Sequence, residues 1–325
     1  MMEIIDPILT PESTADEKAL WLANRYIRLP RDAALNMRIA DLFQHGPDGE
    51  MTADPLLDTL TGETHGLMVV GESGSGKSAL LRRSLRMMPE LQIAGPKREG
   101  NTLYVTVPPE STLRALATQI AVATGYPNIA SRVKAYEAWG IARHRMRECG
   151  IRLLIIDEAH HLLRKGSGRD VEGAIQTLKS LLQGEYPVAC IIAGVGKLPE
   201  AIKTDPETDR RFPQFQLPRL HDDSLDAQKF ASGIAACATG VGLVLPENLD
   251  LAARILFAEG GSLGRSVRLA KTIMIGVLKE GRREIRLEDA HRAFSKQYGL
   301  LPRTPFEAIE WDALRTDLLE GGWVR

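Results

Sequence analysis

The chain has 325 residues, of which 44% are hydrophobic and 26% are charged. This length suits one large domain with a smaller second one, and the composition excludes general disorder and a fibrous fold. The formal net charge of −1 excludes strong long-range attraction to nucleic acid, so any such binding must come from a local basic surface.

The first 45 residues predict a helical lead-in. The acidic N-terminal sequence MMEIIDPILTPESTADE lacks a basic segment followed by an apolar stretch, so no secretory signal is expected. Between residues 13 and 45, apolar side chains recur at helical spacing, and Pro30 interrupts the pattern.

Five short apolar runs then predict strands, at residues 67–70, 103–107, 152–156, 188–192 and, more weakly, 215–217. Amphipathic stretches separate the runs, and their apolar residues share one helical face in 113–120 and in 171–182. Strands that alternate with helices predict an α/β fold with a parallel five-stranded sheet covered on both faces. No run approaches the roughly 18–20 apolar residues of a membrane span, so no membrane association is expected.

After residue 220 the strand pattern ceases, and helices are predicted near 224–238, 247–259, 264–280 and 287–297. The resulting division is a lead-in over 1–45, an α/β domain over 46–220, a small helical lid domain over 221–298 and a C-terminal tail over 299–325. The prolines and aromatic residues of the tail suit a mobile segment that docks on another surface, which the sequence does not identify. Cys149, Cys190 and Cys237 lack metal-ligand spacing and are interpreted as reduced thiols of a cytosolic protein.

A phosphate-binding loop follows the first predicted strand of the sheet. Residues 71–78 match the pattern G-x-x-x-x-G-K-[ST], and a helix is predicted directly after it, over 77–88. Backbone N–H groups of such a loop face phosphates at a helix N-terminus. Lys77 is predicted to bridge the β- and γ-phosphates of ATP, and Ser78 to hold Mg²⁺. The predicted nucleotide-binding residues of this segment are Gly71, Glu72, Ser73, Gly74, Ser75, Gly76, Lys77, Ser78 and Ala79.

Two carboxylates end the third predicted strand. Asp157 is expected to orient Mg²⁺, and Glu158 to polarise the attacking water as the catalytic carboxylate. The letters D-E-A-H also occur in helicases with two nucleotide-binding domains, but the sequence contains one phosphate loop and no second one follows. For His160 and His161, a role in helix initiation or packing is favoured over contact with nucleotide or nucleic acid.

In their order, these motifs resemble the AAA+ ATPases of the TniB, TnsC and IstB group, TniB most closely, over about residues 20–298. The segments that carry the resemblance are RYIRLPR at 25–31, VVGESGSGKSALLRR at 69–83, LLIIDEAHHLL at 153–163, IIAGVG at 191–196, DRRF at 209–212 and GSLGR at 261–265. The resemblance implies an AAA+ P-loop NTPase fold, ATP-dependent assembly into a ring or helical filament on duplex DNA, and recruitment or activation of a transposase. A TniQ-like targeting protein is a further candidate partner.

The resemblance also implies roles for arginines outside the phosphate loop. Arg210 or Arg211 matches the arginine that reaches the γ-phosphate in a neighbouring subunit, although adjacent arginines are otherwise typical of a solvated helix end. Arg265 resembles the second sensor of nucleotide phosphate, and Arg268 is the alternative. Many relatives place a polar γ-phosphate sensor after the fourth strand, whereas residues 193–196 offer only backbone here, which favours slow turnover.

DNA contacts are predicted only from basic clusters, because no base-reading motif is present. The candidates are Lys97 and Arg98, then Thr112 and Arg114, and finally Arg143, Arg145 and Arg147, each of which equally suits a solvated face. Oligomers would repeat such patches along the DNA backbone. Two other functions stay open, namely an AAA+ protein-remodelling or signalling ATPase that does not bind DNA, and a helicase-loader-like ATPase.

Overall fold

The computed structural model describes residues 9–10, 12–94, 99–109, 111–162, 168–221 and 223–323. Its described residues form two compact units: a sheet unit of residues 31–73 and 77–217, and a helical unit that combines residues up to 30, residues 74–76 and residues from 218 onward. The lead-in predicted over 1–45 therefore contributes to both units.

The sheet unit contains the predicted parallel five-stranded sheet. Its strands are β3 (Gly66–Gly71), β4 (Thr102–Thr106), β5 (Leu153–Asp157), β6 (Ala189–Gly194) and β7 (Gln214–Leu217). They lie in the order β4-β5-β6-β3-β7 across the sheet. Strands β3, β5 and β6 are buried along their whole length, as expected for a parallel sheet covered on both faces. The predicted α/β architecture is confirmed.

Helices cover both faces of this sheet. They are α2 (Pro30–Ala40), α3 (Lys77–Arg86), α4 (Leu113–Ala123), α5 (Ala135–Glu148), α6 (Gly168–Leu181), α7 (Lys197–Ile202) and α8 (Pro206–Arg211). Alternate strand residues belong to different cores: Ile156 packs with the face that includes Leu116 of α4, whereas Ile155 packs with the face that includes Leu80 of α3. This alternation follows from the two-residue period of a strand.

The prediction of a helix through residue 45 is wrong at its end. Helix α2 stops at Ala40, and an antiparallel hairpin follows, formed by β1 (Phe43–His45) and β2 (Met51–Pro55). Phe43 is buried in the same core as Leu35 of α2. Phe43 fits both the helical and the strand period of apolar residues, so the sequence pattern did not indicate where the helix ends and the strand begins.

The helical unit contains α1 (Ala15–Asn24), α9 (Leu225–Gly240), α10 (Leu251–Ala258), α11 (Leu263–Lys279), α12 (Leu287–Tyr298) and α13 (Trp311–Glu320). The N-terminal segment packs closely on α9, because a Cβ at Gly240 would lie 2.7 Å from the ring of Trp21. The Nζ of Lys271 on α11 donates to the carbonyls of Ala23 and Arg25, at 2.9 and 2.6 Å. These contacts fasten the end of α1 to the unit.

The C-terminal tail is packed over much of its length rather than extended as a free segment. Trp311 and Leu314 of α13 are buried with the half-buried Phe257 of α10, and the rings of Phe257 and Trp311 meet edge to face with centroids 5.4 Å apart. The aromatic residues that suggested docking thus pack against the chain's own α10. Among the described residues, no helix combines the length and apolar character that a bilayer crossing requires.

Candidate nucleotide-binding site

The phosphate loop joins β3 to α3. Gly74 and Gly76 have φ values of +81° and +93°, a left-handed conformation that glycine adopts without the steric penalty of a Cβ. The loop carbonyl of Gly74 accepts a hydrogen bond from the backbone N–H of Arg265 at 3.1 Å. A Cβ at Gly264 would lie 2.3 Å from that same carbonyl oxygen. The glycine of the GSLGR segment therefore permits this approach of two backbones.

Lys77, the first residue of α3, is a buried cation that is 5% exposed. Its Nζ donates to the carbonyls of Gly71 and Glu72 at 2.9 and 3.1 Å, and none of the carboxylates in the described part of the chain forms an ion pair with it. Burial lowers the pKa of Lys77, and the charges of Glu158 and Asp157 act in the opposite direction. A desolvated ammonium group held by neutral carbonyls fits an incoming anion such as a triphosphate.

Asp157, a predicted magnesium ligand, contacts a residue that the sequence motifs did not indicate. The hydroxyl of Tyr104, on β4, donates to Asp157 Oδ2 at 2.7 Å. Burial and the Asp157 carboxylate raise the pKa of Tyr104, while Arg82 and the Ser78 hydroxyl lower it. The Arg82 guanidinium lies 4.1 Å from the centroid of the Tyr104 ring. Asp157 and Ser78 offer the hard oxygen donors that Mg²⁺ prefers.

Glu158 leaves β5 in a strained conformation. Its φ of 57° and ψ of 32° are left-handed, which is uncommon for a residue other than glycine. Its backbone N–H donates to Asp157 Oδ1 at 2.9 Å, and its Oε2 lies 3.2 Å from Nδ1 of the buried His160. The carboxylate thus follows the last residue of β5, and its charge raises the pKa of Lys77 against the lowering by burial. Strain of this kind is concentrated at functional sites.

The two candidate arginines of α8 have different environments. The Arg211 side chain is 7% exposed, and its Nη2 lies 2.5 Å from Glu63 Oε2 and 2.9 Å from Glu207 Oε1. Arg210 is exposed. Only Arg210 has a side chain that is available to another molecule.

The candidate second-sensor arginines lie on α11. The Arg265 side chain faces Glu259: its Nη2 donates to the Glu259 carbonyl at 2.9 Å, and its Nε lies 3.5 Å from Oε2. Glu259 is 1% exposed and also accepts from the Tyr298 hydroxyl at 2.7 Å. Arg268 is exposed. Arg265 is the one whose backbone contacts the phosphate loop.

The predicted DNA-contacting residues that the structure describes contact different parts of the protein. Lys97 and Arg98 lie outside the described residues. The Thr112 hydroxyl accepts from the Ala115 N–H and caps α4, and Arg114 Nη1 donates to Ala130 O at 3.5 Å. On α5, carbonyls or a carboxylate hold the guanidinium groups of Arg143, Arg145 and Arg147.

Comparisons with known proteins identify both a family and a fold. The family model described as bacterial TniB protein matches residues 22–222. No curated protein matches the sequence.

Several solved structures are similar. The ORC1 protein of Aeropyrum pernix, solved in complex with DNA, has a TM-score of 0.59 and 16% identity, with 85% of this chain and 67% of that chain covered. Cdc6p from Pyrobaculum aerophilum has a TM-score of 0.59 and 16% identity, with 93% of this chain and 89% of that chain covered. At such identity the likeness concerns the fold alone, and the predicted AAA+ fold is confirmed.

Proposed function

The chain belongs to the bacterial TniB family and is an AAA+ ATPase by fold, and from that premise we propose that it is an ATP-dependent regulator of DNA transposition. It binds ATP with Mg²⁺, assembles on duplex DNA and recruits or activates a transposase. The observation that carries the nucleotide part is the buried Lys77, whose Nζ donates to the carbonyls of Gly71 and Glu72 within the phosphate loop.

Each residue of the site has a proposed task in ATP hydrolysis. Lys77 releases the loop carbonyls and binds the β- and γ-phosphates, while Asp157 and Ser78 hold Mg²⁺. When bound, Mg²⁺ neutralises phosphate charge. Glu158 accepts a proton from the attacking water. Residues 193–196, at the end of β6 and directly after it, have no polar side chain to contact the γ-phosphate, which supports slow turnover and a long-lived ATP-bound assembly.

Assembly is proposed to depend on α8. Arg210 is exposed, whereas Arg211 is held by two carboxylates of its own subunit. We therefore assign Arg210 as the residue that reaches the nucleotide of a neighbouring subunit. An arginine at that place contacts the γ-phosphate, so ATP becomes part of the contact between subunits. ADP lacks the γ-phosphate and therefore does not support this contact.

DNA binding is proposed to come from repetition of weak patches. A chain with net charge −1 has little long-range attraction for DNA. Oligomerisation multiplies a local patch along the backbone. Exposed basic residues such as Arg147 are the candidates in the described structure, and Arg147 has to leave its exposed partner Glu185 to take part.

The test is DNA co-sedimentation of the wild-type protein with ATP, ADP or a non-hydrolysable ATP analogue, over a range of salt concentrations. We expect cooperative binding with triphosphate only, weakening steeply as salt rises. Lys77→Ala is expected to remove nucleotide binding and DNA binding together, and Lys203→Ala, at an exposed position of the sheet unit, is the matched control. Nucleotide binding without any DNA retention contradicts the proposal and favours a protein-remodelling ATPase.

A further inference from the structure

We propose that His160 is a positioning residue for Glu158, so that a buried imidazole sets the direction of the carboxylate that activates water. This inference rests on the proposed ATP hydrolysis. It assigns a task to a side chain whose sequence context favoured only helix initiation or packing.

The contact between the two side chains is close and mostly shielded from water. Nδ1 of His160 lies 3.2 Å from Glu158 Oε2, and the two side chains are 6% and 34% exposed. This distance is that of an ion pair between the carboxylate and a protonated imidazole, without the N–H alignment of a hydrogen bond. Because the imidazole engages one carboxylate oxygen, the other oxygen stays available for the attacking water. A base oriented by a third group is the general arrangement of activated water and hydroxyl chemistry.

The backbone conformation of Glu158 does not by itself orient the carboxylate. Its left-handed φ of 57° fixes the point from which the side chain leaves the strand, but three side-chain torsions remain free to turn. Loss of rotamer freedom in a long side chain costs up to about 2 kcal/mol. A fixed imidazole that contacts Oε2 offsets part of this cost before the nucleotide arrives.

His160 is itself held in place by the neighbouring strand. It belongs to the 3-10 helix Ala159–His161, and this helix packs against the end of β6. A Cβ at Gly194 would lie 3.4 Å from both the N and the Cβ of His160, and 3.1 Å from Leu198 Cδ2. Glycine at position 194 thus leaves room for the backbone of His160.

This packing gives a physical reason for the apolar sequence after β6. A larger polar side chain at position 194 would collide with His160 and Leu198. The residue that occupies this place is His160, a polar residue supplied by the segment after β5, whose backbone N and Cβ lie beside Gly194. We infer that His160 links the position of β6 to the orientation of Glu158.

The kinetic test compares variants at two adjacent histidines. His160→Ala is expected to lower kcat for ATP hydrolysis roughly 10- to 100-fold, the scale of a misplaced catalytic group, with little change in KM. His160→Asn keeps a donor near the place of Nδ1 and is expected to restore most of the rate. His161→Ala is the matched control, because the neighbouring ring of His161, whose centroid lies 4.1 Å from that of His160 at a tilt of 38°, carries no assigned task. Wild-type kcat in His160→Ala overturns the inference.

A second measurement needs no nucleotide and separates this inference from the proposed function. The imidazole nitrogen resonances of the full chain are recorded at a fixed pH, and the His160 signals are assigned by their loss in His160→Asn. Glu158→Gln is expected to shift the Nδ1 signal of His160 and to leave that of His291, which lies in the helical unit, unchanged. An unchanged His160 signal shows that the two side chains do not interact, and overturns the inference even if ATP is hydrolysed.

Failure of the proposed function has a different signature. A wild-type protein that hydrolyses no ATP, with or without DNA, contradicts the ATPase assignment and removes the positioning role with it. The shift of the His160 signal in Glu158→Gln would persist in that case, since the contact does not depend on hydrolysis.

Discussion

Arg211 Nη2 lies 2.5 Å from Glu63 Oε2, a contact between residues 148 positions apart in the sequence. The same guanidinium contacts Glu207 one helical turn earlier. Its nearest neighbour in the sequence, Arg210, is exposed. One arginine of the pair is therefore held within the sheet unit, whereas the side chain of the other is exposed.

Substitutions at the two arginines are expected to separate stability from activity. Arg211→Ala removes the cation from Glu63, which keeps its hydrogen bond from Gln183. The free energy of unfolding should fall by about 2 kcal/mol, below the roughly 3–5 kcal/mol of a fully buried pair, because Glu207 is partly exposed. Arg210→Ala should unfold like the wild type yet lose most ATP hydrolysis. Chemical denaturation and ATPase assays measure the two effects.

A mixing experiment completes this prediction. Lys77→Ala lacks the nucleotide site but keeps Arg210, and Arg210→Ala has the opposite defect. When the two variants are shown to co-assemble, part of the hydrolysis should return at mixed interfaces. Absence of recovery would count against an arginine that acts between subunits.

Glu158→Gln is expected to preserve ATP affinity and to lower the hydrolysis rate at least a hundredfold. The amide keeps the shape of the side chain but loses the charge that accepts a proton from water. ATP-bound assemblies should then accumulate on DNA. Glu200→Gln, at an exposed position of α7, is the control, and a wild-type rate in Glu158→Gln would show that another carboxylate activates the water.

Tyr104→Phe is expected to raise the Mg²⁺ concentration needed for half-maximal hydrolysis about tenfold, the effect of losing a group that orients a metal ligand. The substitution removes the hydroxyl that donates to Asp157 Oδ2 and keeps the ring beneath Arg82. Tyr136→Phe is the matched control, because that exposed hydroxyl contacts only its neighbour Glu137 among the described residues. Equal Mg²⁺ dependence in both variants would leave Tyr104 with a packing role.

The sheet and the position of the phosphate loop could be predicted because their signals are local. A buried parallel strand such as β5 is a continuous apolar run, and the loop has a fixed spacing that its glycine conformations require. The hairpin after α2 was not predicted, because Phe43 fits both the helical and the strand period of apolar residues. Tyr104 was missed because an aromatic residue in a strand is typical of core, and its hydroxyl gains meaning only from Asp157 on the adjacent strand.

The different environments of Arg210 and Arg211 could not be predicted from the sequence, because they depend on the ion pair between Arg211 and Glu63. No local sequence pattern relates Glu63 to α8. The same holds for the C-terminal tail: aromatic residues that favour docking do not reveal whether the docking site is another molecule or the chain's own α10.

Arg254 provides the test of that internal docking. Its side chain is 2% exposed and donates to the carbonyls of Leu249, Pro305, Glu307 and Ile309 at 2.9, 2.8, 3.2 and 2.6 Å. The guanidinium also lies 5.0 Å from the centroid of the Trp311 ring. One buried cation thus satisfies a carbonyl that precedes α10 and three carbonyls of the segment that leads into α13.

Arg254→Leu is expected to lower the free energy of unfolding of the helical unit by about 3 kcal/mol, since buried carbonyls lose their donors, and to expose the segment 299–310 to proteases. Burial lowers the pKa of Arg254 and the charges of Asp250 and Glu310 oppose this, so the wild-type cation already bears a desolvation cost that leucine would not. The hydrogen bonds must outweigh that cost for the prediction to hold. Chemical denaturation and limited proteolysis measure the two effects, and Arg268→Leu, at an exposed position, is the control. Equal stability of the two variants would show that the apolar packing of Trp311 and Leu314 alone keeps the tail in place.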